Sequence, residues 1–230
     1  ILTDTSRGAG KEIFSDLDSA EDTTNTNKLE AFIADGFQLA TSPHGSVNSN
    51  THTYVAWNWR ANGGTTSSNG DGSITSTVQV NQKAGFSIVQ WNGEGDGEAT
   101  VGHGLGAVPK VIMPKNRDAQ GNWHMYHIGL HPQQADSHDY GILLNSANAR
   151  TNDAGFHNDT APTSSVFTVG TYNNFNNDYV AYVFTDIDGY SKFGVYEGNS
   201  NANGTFVYTG FRPAMVMFKH FDGSDEWVIG

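Results

Sequence analysis

One segment of this chain is written twice. Gly189 lies 104 residues after Gly85, and the same displacement carries Phe86 to Tyr190, Ser87 to Ser191, Gly106 to Gly210 and Pro109 to Pro213. It also carries Met113 to Met217, Lys115 to Lys219, Asp118 to Asp222 and Trp123 to Trp227, with no gap. A fixed offset is the signature of a duplicated structural unit, and it restricts the fold to what such a unit can build. A looser match extends the pattern. Tyr54-Val55-Ala56-Trp57-Asn58-Trp59 corresponds to Tyr179-Val180-Ala181-Tyr182-Val183-Phe184 at an offset of 125. Asp35-Gly36-Phe37-Gln38-Leu39 sits where Ser165-Val166-Phe167-Thr168-Val169 sits. The excess of 125 over 104 implies an insertion of 21 residues in the first copy, at the Thr/Ser/Asn/Gly-rich stretch 65–83. The reading is therefore two copies of one unit, 1–126 and 127–230. A second register fits the same matches: 85–188 forms one intact sandwich, and 1–64 and 189–230 pair with each other or with neighbouring chains.

The periodicity is that of strands. Ile74, Ser76, Val78 and Val80 alternate with Thr75, Thr77 and Gln79, so the insertion is expected to add a strand or hairpin arm. Residues 53–59 form a β-branched and aromatic run of strand type, as do 85–91, 178–186 and 189–196. Pro109 is expected to open a strand through Met113, with a return strand over 123–128; 140–145 and 166–170 are further strands. The lead-in 1–28 reads as loop with a short apolar piece at Ile13-Phe14, and 29–32 as one helical turn. No amphipathic helix of ordinary length is present. Many short strands separated by Gly-rich turns predict an all-β chain folded as an antiparallel β-sandwich, jelly-roll or lectin-like.

Composition bounds the function. The 24 acidic residues outnumber the 12 basic ones, for a net charge of −12, which argues against nucleic acid as a partner. There is no cysteine, so neither a disulfide framework nor a thiol nucleophile is available. No apolar run is long enough to insert into a membrane. The first residue is Ile rather than Met and no signal peptide is evident, which fits part of a longer or processed polypeptide.

Candidate chemistry is sparse. His124, His127 and His131 are close in sequence, but side chains three apart in a strand point to opposite faces, so they are not expected to converge on a metal. Calcium is the alternative at the acidic turns, Asp186 and Asp188 foremost and the turns at 69–72 and 94–98 besides, yet Asp-Gly and Asn-Gly are also what tight turns require. Gly102-His103-Gly104-Leu105-Gly106 is glycine-rich but opens no helix, so it is a bend rather than a phosphate cradle. No Gly-x-Ser-x-Gly or His-Glu-x-x-His motif occurs. Among Trp57, Trp59, Trp91, Trp123 and Trp227, the repeat relates Trp123 to Trp227 and marks both as core; Trp91, beside a polar Gly-rich turn, is the candidate for a surface ring that stacks on sugar. The shared positions of the repeat are turn and core makers, so no catalytic residue and no cofactor is expected.

Several segments together resemble a known family. These are Tyr54 to Trp59 and Tyr179 to Phe184, Gly85 to Ser87 and Gly189 to Ser191, His103-Gly104-Leu105-Gly106 through Pro109, Thr163 to Gly170, and Arg7-Gly8-Ala9-Gly10-Lys11. They are similar to a repeated β domain in tail-fibre and related virion structural proteins of tailed phages, often marine and cyanobacterial ones. The resemblance covers nearly the whole chain except 65–83. It implies a non-enzymatic component of a virion or extracellular filament, partnered by other copies of itself or by neighbouring fibre subunits, and contacting host-surface glycans. A glycan-binding module of a secreted or cell-surface adhesin is the alternative, and a polysaccharide-cleaving enzyme a third reading.

Overall fold

The computed structural model describes residues 1–24, 28–40, 47–95, 97–131 and 136–230. Asp96 of one acidic turn, 25–27 of the lead-in and 132–135 of the polar loop after His131 lie outside them.

The chain is all-β, with short 3-10 turns as the helical content of the described residues. Its strands are β1 (Leu29–Ile33), β2 (Gly36–Leu39), β3 (Ser67–Asn69), β4 (Ser76–Asn81), β5 (Phe86–Asn92), β6 (Ala99–Gly102) and β7 (Val111–Asn116). They continue as β8 (His124–His127), β9 (Tyr140–Leu143), β10 (Thr151–Asn152), β11 (Val166–Val169), β12 (Asp178–Phe184), β13 (Met217–Phe218) and β14 (Val228–Ile229). Eight of them make one antiparallel sheet in the order β10-β9-β8-β7-β12-β5-β4-β3. The sheet runs across residue 126, because β8 spans it and β5 pairs with β12 along its whole length.

β12 sits at the centre, antiparallel to β5 on one side and β7 on the other. A strand with both edges paired and both faces covered should be apolar throughout, and β12 is: Tyr179, Val180, Ala181 and Val183 are completely buried. Alternation sends Tyr179, Ala181 and Val183 to one face. There they pack with Val89, Trp91, Ile112 and Tyr126 against Val101, Phe167 and Val169 of the two-stranded sheet β6–β11. This is the sandwich. Val180 and Tyr182 point the other way, into a second cluster with Phe86, Ile88, Trp123 and Ile13.

The second face is closed by the lead-in rather than by another sheet. Ile13 is fully buried, Leu2 and Ile13 exchange backbone hydrogen bonds of 2.8 and 3.1 Å, and Trp123 Nε1 donates to the Phe14 carbonyl at 2.8 Å. Arg7 anchors this cover. Its guanidinium donates to Asp4 Oδ2 at 2.6 Å, Glu21 Oε2 at 2.8 Å and the Tyr182 hydroxyl at 3.1 Å, and Arg117 Nη2 holds Glu21 Oε1 at 3.0 Å. Burial alone would raise the Glu21 carboxyl, but the hydrogen bonds from Arg117 and Arg7 outweigh it and hold the group below its ordinary value.

Three sequence expectations are corrected. Residues 29–32 are strand, not a helical turn, because β1 pairs with β2 as a hairpin. Residues 54–59 form no strand and join no ladder among the described residues. Residues 189–196 likewise form no strand beyond the bridge between Ile187 and Ser191. The insertion behaves as expected: β3 and β4 form a hairpin that extends the large sheet from β5.

Candidate functional site

An open cleft of about 370 Å³ lies between the β7–β8 turn and the loop ahead of β12. Its walls are Asn116, Ala119, Gln120, Gly121 and Asn122 from the turn, His124 at the start of β8, and Tyr172, Phe175 and Asn177 from the loop. The turn is shaped by its own amide. Asn116 Oδ1 accepts the N–H groups of Asp118 and Ala119, both at 3.0 Å, and its Nδ2 donates to the Tyr179 hydroxyl at 3.3 Å.

The opposite wall is held by close backbone approach. Gly93 N–H donates to the Asn177 carbonyl at 2.9 Å, and a Cβ at Gly93 would lie 2.0 Å from the Phe175 carbonyl oxygen. Only glycine lets the loop sit this close to the end of β5. The Tyr179 hydroxyl accepts the Phe175 N–H at 3.1 Å, so the central strand ties the loop to the turn. Tyr172 donates its hydroxyl to Asp153 Oδ2 at 2.8 Å, and this hydrogen bond raises the phenol above its ordinary pKa. Its ring stacks on His124, centroids 4.9 Å apart.

The cleft is uncharged, and most of its lining surface is apolar. None of its nine lining residues is an acid, a lysine or an arginine. Burial pushes His124 down to about 4, so the imidazole is neutral at pH 7. Phe175 is 53% exposed and Tyr172 37%, offering apolar ring surface beside the amides. Gln120 spends Nε2 on Asp18 and Asn122 spends Oδ1 on Asn145, which leaves Gln120 Oε1, Asn122 Nδ2 and the Asn177 amide without a hydrogen bond to another described residue. A ring with neutral amides around it suits a hydroxyl-rich, uncharged ligand, whose apolar face stacks while its hydroxyls exchange hydrogen bonds.

The residues singled out in the sequence stand elsewhere. Trp91 is a core residue, not a surface ring: it is 3% exposed, stacks on Tyr179 at 5.2 Å and donates Nε1 to the Asn173 carbonyl at 3.2 Å. It touches the site from behind, by fixing the backbone of the loop that carries Tyr172 and Phe175. Asp186 gives one oxygen to Lys192 at 2.8 Å and the other to the Phe193 N–H at 2.9 Å, closing the turn before the tail, and Asp188 is exposed beside it. Among the described residues no three His, Asp or Glu side chains gather as metal ligands. His124 and His127 face apart: His124 meets Phe156 and Tyr172, while His127 meets Phe193. Gly102 to Gly106 is a bend. Its His103 is fully buried, accepts the Leu105 N–H on Nδ1 and lies 3.2 Å from the Thr163 carbonyl through Nε2. Among the described residues no helix is long and apolar enough to cross a membrane.

Sequence reasoning did not find the cleft. The signal was there in the Asn-rich runs 173–177 and 116–122, but amides in turns are explained by turn formation alone until two such turns are seen side by side. No curated protein and no solved structure matches the chain. One family model does, over residues 1–230, and the chain belongs to that family, the domain of unknown function DUF7483.

Proposed function

We propose that this chain is a non-catalytic structural and adhesive module of a phage tail fibre or similar extracellular filament, and that the cleft under Tyr172 and Phe175 takes a neutral glycan of the host surface. One observation carries the binding half of this reading: two part-exposed rings share a cleft with Gln120, Asn122 and Asn177, with no acid among the lining residues. Aromatic faces give a sugar its apolar contact, and neutral amides serve hydroxyls as donor and acceptor together. The filament half rests on the family resemblance of the sequence and on the repeated segment.

The test is a glycan array followed by titration of the best binder. Tyr172→Ala and Phe175→Ala are each expected to weaken binding by about tenfold, the loss of one stacking contact. The Phe175→Ala melting curve should stay near that of the parent, since that ring is 53% exposed, whereas Tyr172→Ala also loses the Asp153 hydrogen bond and the His124 stack and should melt somewhat lower. Binding that is unchanged in both variants sinks the cleft as the site. Release of reducing ends from a surface polysaccharide, which we expect to be nil, would replace adhesion with cleavage.

A further inference from the structure

The central strand β12 shows what residues of its type are built for. Its neighbours β5 and β7 pair with it on both sides, and its side chains are buried on both faces. Residues 54–59 carry the same apolar pattern, yet Val55 is 89% exposed, Trp57 53% and Trp59 45%. Val55 to Trp59 make no backbone–backbone hydrogen bond with any other described residue. A strand-type apolar sequence whose residues Val55 to Trp59 stay exposed and outside any ladder of the described residues is a surface that proteins usually cover.

The missing neighbours are at the other end of the chain. The 104-residue displacement carries β5 to 190–196 and β7 to 215–220. Tyr190 is 57% exposed, Met215 44% and Val216 45%, and no strand lies between the two segments. One part of this second set is already folded. Ile112 pairs with Tyr126 in the β7–β8 hairpin, and their displaced counterparts Val216 and Gly230 exchange two backbone hydrogen bonds of 3.0 and 2.9 Å beside β13–β14. The tail thus carries the sequence counterparts of β5 and β7, the second partly paired in the register of the β7–β8 hairpin, without a counterpart of β12 between them among the described residues. The head carries the counterpart of β12 without those of β5 and β7 beside it among the described residues.

We infer that the head strand 54–59 of a second copy of this chain inserts between 190–196 and 215–220, antiparallel to both, and completes a second sandwich across the junction. The pairing of β12 dictates the register. Val183 opposite Ser87 and Ile112 becomes Asn58 opposite Ser191 and Val216; Tyr179 opposite Trp91 and Asn116 becomes Tyr54 opposite Val195 and His220. The chain's own head is not the occupant. Trp59 and Phe193 both reach the Phe184 ring, at 6.4 and 6.0 Å, so head and tail stand near one another, yet no ladder forms between them. Each is pinned to a different cluster. Ala61, next to the head strand, is buried with Phe86 and Ile88, and Arg60 accepts a hydrogen bond from Asn81 at 3.0 Å; Phe193, Phe221 and Trp227 pack on Val111, Met125 and Ile142. Chain order favours the second copy as well, since tail followed by head reproduces the sequence order from β5 to β12.

This goes beyond the filament reading and does not use the glycan cleft, so either can fail without the other. The absence of native cysteine makes the test direct. Asn58→Cys and Ser191→Cys proteins, mixed and mildly oxidised, should yield a disulfide-linked dimer. The mixture of Asn58→Cys with Lys192→Cys, one residue out of register, should yield at least about fivefold less, because a one-residue slip turns the thiol to the other face. Asn58→Cys with Val216→Cys is the second in-register pair and guards against a folding defect at Ser191. Equal linkage at both registers, no linked dimer with either in-register pair, or a monomer-sized internal disulfide in the Asn58→Cys/Ser191→Cys double variant overturns strand exchange.

Discussion

Among single residues, the buried histidines set how the molecule meets acid. His157 is 3% exposed and burial pushes it down to about 4; burial does the same to His124 and His127. An unfolded histidine titrates near about 6.5. Between these values the unfolded chain binds protons that the folded chain refuses, so stability is full above about 6.5 and drains away as pH falls toward about 4. Melting temperature should therefore drop steadily from pH 7 to pH 5, before the carboxylates matter. His157→Gln should flatten that slope by about one proton, whatever it does to stability at pH 7. An unchanged slope would mean that His157 takes up its proton in the fold as it does in the unfolded chain. The residue scale is also where the sequence was least legible. Trp91 borders a Gly-rich turn and so suggested a surface ring, but the loop carrying Asn173 folds back over it, held by contacts more than 80 residues distant in sequence. A local reading has no access to what covers a side chain.

Elements read well where their signal is periodic and badly where it is ionic. The alternation of Ile74 to Val80 was enough to find the inserted hairpin, and the apolar run 179–184 enough to find a buried strand. The lead-in has no period, so it reads as loop. Its role comes from Arg7, Asp4, Glu21 and Arg117, four charges whose meeting depends on distant strands. Residues 29–32 misled for a related reason: a short apolar run has no preference for helix or strand until β2 offers it a partner. The cover makes its own prediction. Arg7→Met leaves Asp4 buried without its cation and Glu21 with Arg117 alone, a loss of about 3–5 kcal/mol for a broken buried pair. Hydrogen exchange should then accelerate at Ile13, whose amide bonds the Leu2 carbonyl, while Val180 in the central strand changes less. Slow exchange at Ile13 in the variant would mean that packing, not the ion network, holds the cover down.

At the scale of the molecule, the described strands from Phe86 to Phe184 and the lead-in form one sandwich-like body, and the 104-residue offset is legible in the sequence while its structural use is not. Offsets say which segments are alike, not which of them meet. The large sheet joins strands from both sides of residue 126. Two apolar faces of the strands from Phe86 to Phe184 are covered by other strands and by the lead-in, and a third, made by Val111, Met125 and Ile142, is covered in part by Phe193, Phe221 and Trp227 of the tail. The tail reaches this body through Phe193, Phe221 and Trp227, all of them partly exposed, through the Trp227 Nε1 bond to the Leu143 carbonyl at 3.1 Å and the Lys219 Nζ bond to the Ala147 carbonyl at 2.8 Å, and through Arg150, whose N–H donates to the Phe221 carbonyl at 2.8 Å and whose guanidinium pairs with Asp222 at 3.0 Å. A chain ending at Asp188 should keep its near-ultraviolet dichroism and a cooperative melt, at a midpoint lowered by about 10 °C or more, because it uncovers Val111, Met125 and Ile142 at a cost of about 3–5 kcal/mol. A chain ending at Asn177 lacks β12 and should not fold, because β5 and β7 have no other bridge between them. If the chain ending at Asp188 also fails to fold, the tail is core rather than half of a joint, and the separation of closed body from open ends is wrong. If it folds but still forms the dimer linked through Asn58, the head strand pairs with something other than the tail.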